Sequence, residues 1–191
     1  MCLIFSLYFV LGKMPAPFFV IRGDILQKSE EHQSMLHCIS ADGAMRVGLA
    51  KQVVRKYPQL KELRKMNLRV GSCVVYRIHG KYIYNLVTKK KCTDLPEYSD
   101  IKRALQIAKE HAVRNGVIQL LTPQLACGKD KRDWGIIRKM ICDIFWDTGI
   151  LVTLVHQKED PVEFDTRSPL GLCVRRGPTC FCCEATKTWR K

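Results

Sequence analysis

The sequence has no apolar run long enough to cross a bilayer. Its most apolar stretch, Met1 to Gly12, is twelve residues, and a membrane-spanning helix needs about 20. That stretch also lacks the basic start and small-residue cleavage site of a secretion signal: Cys2-Leu3-Ile4 is uncharged and Lys13 follows the run. A second methionine stands at 14, so residues 1–16 read as an N-terminal extension, and no membrane partner is expected. Cysteine pairing is missing too. Cys2, Cys38, Cys73, Cys92, Cys127 and Cys142 stand singly, without the C-x-x-C spacing of a zinc module or the density of a small secreted scaffold. They read as reduced thiols of a nuclear or cytoplasmic protein. Cys173, Cys180, Cys182 and Cys183 suffice in number for zinc, but they fit no standard finger, and adjacent Cys182 and Cys183 suit a tetrahedral site poorly. Neither metal nor cofactor is expected, and no internal repeat is visible.

Acidic residues are scarce, 18 against 32 Lys and Arg, which leaves a formal charge of +14. Such an excess attracts polyanions and anionic ligands without specifying a fold. It lies mostly before residue 160, in runs such as Lys89-Lys90-Lys91 and Lys129 to Arg132, which read alone are solvated surface. With 47% hydrophobic and 26% charged residues in 191, the chain has the mixture of one globular domain plus extensions. About 150 residues bury roughly 70% of their unfolded surface, enough for a core without cross-links.

Hydrophobic periodicity divides the chain further. Phe18 to Ile21 reads as a buried strand turning at Gly23-Asp24, and Met35 to Ile39 as a second strand. Helix-capping residue types cluster over Ser40-Ala41-Asp42-Gly43, and Met45, Leu49, Val53 and Tyr57 follow at helical spacing. Cys73 to Ile78 and Tyr82 to Val87 form a hairpin through His79-Gly80-Lys81. Ile101, Leu105, Ala108 and Ala112 mark a helix stopping at Asn115-Gly116. Val117 to Leu121 is a strand, and Trp134, Ile137, Ile141 and Phe145 make another amphipathic helix. A last strand covers Leu151 to Val155, and residues 158–191 read as a basic, cysteine-containing, irregular tail. Hairpin-joined strands beside strand-helix-strand crossings predict an α/β fold, a mixed sheet between helix layers. Ligands in such sheets sit over strand ends, here at loops 40–48 and 122–132.

Four segments in order carry a resemblance. Gly23-Asp24-Ile25, His37-Cys38-Ile39-Ser40, Tyr82-Ile83-Tyr84 continuing into Leu86-Val87-Thr88-Lys89-Lys90, and Cys127-Gly128-Lys129-Asp130 before Trp134 are similar to those of the terminal ADP-ribose protein glycohydrolases. The resemblance identifies residues 17–157 as a macro domain. It implies ADP-ribose as ligand and mono-ADP-ribosylated proteins as partners, with hydrolysis of ADP-ribose linked to glutamate or aspartate, or deacetylation of O-acetyl-ADP-ribose.

The same resemblance implies residue roles. Asp24, beside Ile25, accepts a hydrogen bond from the adenine amino group; read alone, Gly23-Asp24 is a turn pair. The segment with Ser40, Met45, Arg46 and Gly48, leading into a helix, presents backbone N–H groups to the diphosphate, although a capped helix start needs no ligand. Leu125, Ala126, Cys127, Gly128 and Lys129 line the ribose side. Lys89 attacks the anomeric carbon of the distal ribose after the acyl link is released, and Asp130 assists and resolves the adduct; read alone, they are a solvated lysine and a turn residue. A lysine attacks only when deprotonated, and a nearby carboxylate can move that proton. Two positions depart from the family: Arg46 replaces a glycine, and Val155 replaces an aromatic that flanks adenine. A non-catalytic ADP-ribose reader and a basic nucleic-acid-associated protein are the alternatives.

Overall fold

The computed structural model describes residues 18–29 and 33–156. The extension over 1–16 and the tail over 158–191, with its four cysteines, lie outside the described residues, as do the end residues 17 and 157 of the expected domain. The β-branched and aromatic runs become β1 (Phe18–Arg22), β2 (Ser34–Ser40), β3 (Cys73–Ile78), β4 (Lys81–Lys89), β5 (Gln119–Thr122) and β6 (Leu151–His156). They form one sheet in the order β1-β6-β5-β2-β4-β3, parallel except where β3 pairs antiparallel with β4. The β3–β4 hairpin turns at His79 and Gly80, both left-handed at φ 49° and 80°, as a tight two-residue turn requires.

Helices cover both faces: α1 (Ile25–Lys28), α2 (Gly48–Lys56), α3 (Tyr98–Arg114) and α4 (Trp134–Phe145). Strand alternation sorts the core into two layers. Leu36, Tyr84, Leu86 and Leu120 meet Ala104, Leu105 and Ala108 of α3 and Ile137, Ile141 and Phe145 of α4. Met35, Ile39, Ile83, Val87 and Leu121 meet Ile25, Val53, Tyr57, Leu60 and Leu63 on the other side. Buried alanines at 104, 108 and 112 let α3 lie close to the sheet. Past Asn115, Gly116 is left-handed at φ 63°, and the amides of Gly116 and Val117 reach back to Val113 and Ala112, closing α3 at the expected stop. The expected three-layer α/β architecture is the one observed.

Two boundaries differ most, and two elements, a 3-10 helix and α1, were not expected. The helix expected from Met45 starts at Gly48 and ends before Pro58, which opens a 3-10 helix (Pro58–Lys65) because proline suits a first helical position and cannot continue a helix. The strand expected at 117–121 runs Gln119–Thr122, with Ile118 80% exposed ahead of it. The α1 helix, four residues long, is too short to show a period.

One polar pair interrupts the apolar core. His37 shares the face of Met35 and Ile39, and its Nε2 meets Asn85 Oδ1 at 2.7 Å while Asn85 Nδ2 donates to Val74 O at 2.9 Å. Its Nδ1 is buried without a protein partner. Burial pushes His37 down to about 4 from its ordinary 6.5, against the raising influence of Asn85 and the Cys38 backbone. The unfolded chain therefore takes up a proton at 37 before the folded one does, and stability falls as pH drops from 6.5 toward 4. Denaturant titrations at neutral pH and at about pH 4.5 should show a loss of about 2 to 3 kcal/mol from this residue, and His37→Leu should flatten that part of the profile.

Candidate functional site

The parallel strands deliver their C-terminal ends to one edge of the sheet, and the loops leaving that edge carry the nominated residues. Asp24 follows β1, Ser40 ends β2, Lys89 ends β4, and the segment to Asp133 follows β5. From β1 to β4 there are four strand spacings of about 4.8 Å, so the two ends of this edge stand about 19 Å apart.

At the β1 end, Asp24 caps α1, its Oδ1 accepting from Leu26 N at 2.7 Å. The pair Gly23-Asp24 is thus a helix start, and the carboxylate keeps a second oxygen for another donor. Ile25 is buried beneath it. The far end of α1 is held by cations, as the carbonyl end of a helix favours. Lys56 Nζ donates to Leu26 O at 2.6 Å and Lys81 Nζ to Ser29 O. Both ammoniums approach the Tyr57 ring, whose hydroxyl meets Ser29 Oγ at 3.2 Å.

In the middle, a bulge between Ile39 and Ser40 sets buried Ser40 opposite Lys89. Ala41 N and Asp42 N donate to Lys89 O and Lys90 O at 2.8 and 3.2 Å. Asp42 then ties two loops together: Oδ1 accepts from Ser40 Oγ at 2.5 Å and Ala44 N at 3.1 Å, and Oδ2 from Cys92 N at 3.1 Å. Burial would raise its carboxyl, but these bonds and the Arg46 charge hold it below the usual range. The cluster at 40–43 therefore does not cap a helix. The α2 helix is preceded by Val47, whose side chain has no oxygen, so its first N–H groups face outward without a side-chain cap. Met45 is buried and left-handed at φ 41°, whereas Arg46 is exposed in ordinary backbone, so position 46 does not demand a glycine. Gly48 takes φ 59° instead.

At the β4 end, Lys89 Nζ donates to Asp130 Oδ1 at 2.6 Å and to Cys92 O at 3.0 Å, and the two side chains are 12% and 15% exposed. The loop carrying Asp130 is anchored beyond it. Arg132 Nε donates to Pro96 O at 2.7 Å, its guanidinium lies over Tyr98, and Asp133 N donates to Tyr98 Oη at 3.1 Å. Leu125 and Ala126 are buried in the α3 and α4 core, Cys127 is half-buried, and Gly128 and Lys129 are exposed. Burial, with Asp133 and Asp130 nearby, pushes Cys127 up to about 11; burial and Asp130 push Cys38 up to about 12. Both remain thiols near neutral pH. Val155 is buried in the α2-side core. Among the described residues no cluster of three or more His, Cys, Asp or Glu could hold a metal ion.

The structure thus brings Ser40, Lys89 and Asp130 together and sets Asp24 with Ile25 at the far end of the edge, while Met45 and Arg46 lie between β2 and α2, Gly48 opens α2, and Leu125 to Lys129 lead up to Asp130. Asp42, Arg132 and Tyr98, which hold the loops, escaped sequence reasoning because their partners are distant in the chain. Gly43 is a fourth support. It is left-handed at φ 58°, and a Cβ there would stand 2.8 Å from both Arg64 Cα and Leu63 O. Gly43→Ala should cost about 2 kcal/mol by denaturant titration, from strained backbone and crowding, and should loosen the loop between Ser40 and Gly48 to hydrogen exchange.

No family profile matches the sequence. Among curated proteins, the chain is 33% identical over 134 residues to the human ADP-ribose glycohydrolase OARD1, covering 70% of this chain and 88% of that protein. Among solved structures, the macrodomain of Mycobacterium tuberculosis DarG superposes with a TM-score of 0.65 at 18% identity, over 77% of this chain and 99% of that one. Thermosipho africanus DarTG in complex with ADP-ribose gives 0.60 at 21%, over 69% of this chain and 39% of that one. Fold and sequence identity agree: the chain belongs to the macro domain family, as a relative of the ADP-ribose glycohydrolase OARD1.

Proposed function

We propose that this protein binds ADP-ribose along the C-terminal edge of the sheet and hydrolyses it from glutamate or aspartate side chains of modified proteins, acting in the nucleus or cytoplasm. The observation that carries the reading is the Lys89–Asp130 pair, 2.6 Å apart at the end of that edge. Adenine meets Asp24 at the β1 end. The diphosphate crosses the uncapped start of α2, where N–H groups and the helix dipole favour an anion. The distal ribose then reaches Lys89, flanked by Ser40 and the segment from Leu125 to Lys129.

The chemistry divides between the two side chains. The C–O bond to the protein carboxylate breaks first and the carboxylate leaves with its electrons; Asp130 then takes a proton from Lys89, and the neutral amine bonds the anomeric carbon. Asp130 passes that proton to the released carboxylate and, ionised again, deprotonates the water that bonds the same carbon as the C–N bond breaks; the proton then returns to the amine, releasing ADP-ribose and restoring the lysine. Their contact before any ligand arrives means that nucleophile and proton acceptor need little further ordering.

The non-catalytic reader stays as a second reading because of exposed Arg46, which stands just before α2 where the family resemblance implies a glycine. Three variants separate the two. With glutamate-linked mono-ADP-ribosylated protein as substrate, Lys89→Ala should abolish release while calorimetry finds ADP-ribose affinity within about threefold of the parent. Asp24→Ala should weaken ADP-ribose binding by about 1 to 3 kcal/mol. Arg46→Gly should accelerate release if the guanidinium crowds the distal ribose. Full hydrolysis by Lys89→Ala would remove the lysine from the chemistry, and no hydrolysis by the unmutated protein would leave only the reader.

A further inference from the structure

The cations at the mouth of the site are not used by the chemistry above. Lys90 and Lys91 follow the nucleophile, and Lys129 and Lys131 flank the carboxylate. Because Lys89 and Asp130 touch at 2.6 Å and neighbouring Cα atoms are about 3.8 Å apart, all four belong to one small surface around the reacting carbon. All four are exposed, and none is ion-paired with a described carboxylate. The acids nearby are committed elsewhere. Asp94 accepts from Lys91 N, Glu97 faces Arg132, Asp133 caps α4, and Asp42 holds Ser40, Ala44 and Cys92.

We propose that Lys90, Lys91, Lys129 and Lys131 form a docking surface for acidic polypeptide, so that the preferred substrates carry ADP-ribose on a carboxylate set among further aspartates and glutamates. The inference rests on the hydrolase reading, in which the leaving group is the substrate protein's own carboxylate. That protein must then cross the mouth, and residues within two or three positions of its modified side chain come within reach, at about 3.3 Å of extended chain per residue. Lysine suits irregularly spaced carboxylates, being a point charge on a flexible stem. The aromatics bordering these segments are half-buried and engaged, Tyr98 under Arg132 and Trp134 beside Phe18, whereas surfaces for single-stranded nucleic acid present free aromatic stacking platforms beside their positive charge. A peptide therefore fits this surface better than a nucleic acid.

The test uses the full chain and two peptides, each with one glutamate-linked mono-ADP-ribose, flanked on both sides by aspartates or by serines. The aspartate peptide should have the higher kcat/KM, by about tenfold at low salt if three contacts add modestly, and the advantage should shrink at about 0.5 M salt as screening shortens. Combined Lys90→Gln, Lys91→Gln and Lys131→Gln should bring the ratio of the two peptides near one, whatever it does to the absolute rate. Equal rates for the unmutated protein, or a ratio that survives the triple substitution, would overturn the docking surface. So would an oligonucleotide competing more strongly than an unmodified aspartate peptide of equal charge. If neither peptide is hydrolysed, the hydrolase reading falls, and the ratio of their dissociation constants decides the docking surface by the same criterion.

Discussion

The parallel pairing of β4 with β2 is the constraint on which the site depends. The β3–β4 hairpin reverses the chain so that β4 runs alongside β2 in the same direction, and Lys89 arrives beside Ser40. A slip of one residue would turn the buried row Ile83, Asn85 and Val87 to the opposite face and carry Lys89 with it. Both faces of the sheet are covered by helices, so that slip is blocked twice. The bulge at Ile39/Ser40 makes the final adjustment and lets Ala41 N and Asp42 N bond the carbonyls of Lys89 and Lys90. The position of Lys89 is therefore a property of the sheet, while its partner Asp130 depends on the Arg132 anchor.

Much of this architecture is legible from local chemistry. His79-Gly80 announces the hairpin because few other pairs adopt two left-handed residues, and the alanines of α3 announce a helix pressed against a sheet. Other elements leave no periodic trace. The α1 helix is a single turn, and the 3-10 helix after Pro58 departs from the spacing on which helix patterns rest. Met45 mimics a helical position because it is buried, yet it precedes the helix in left-handed backbone.

The site is less legible than the fold. Lysines 89 to 91 look like solvent-facing charge until Asp130, 41 residues on, is brought to Lys89. Only the resemblance singles the pair out. The Asp42 bond to Cys92 spans 50 residues and has no sequence signature. Charge balance explains part of the difficulty: the acids around the mouth are engaged in caps, loop ties and ion pairs, so their roles are invisible in a composition that shows only the surplus of Lys and Arg.

If Asp24 meets adenine as proposed, folding and recognition share one side chain without being inseparable. One of its oxygens holds Leu26 N, and an asparagine would supply that oxygen equally well. The other oxygen would become an amide nitrogen, a donor in place of an acceptor. On the ADP-ribose reading, Asp24→Asn leaves α1 in place and inverts the preferred base, from the amino group of adenine to the carbonyl of hypoxanthine. Calorimetry with ADP-ribose and its inosine counterpart distinguishes the two, and tighter adenine binding by the variant would contradict it. Purine choice in this fold is then open to change at a single atom, at little cost to stability.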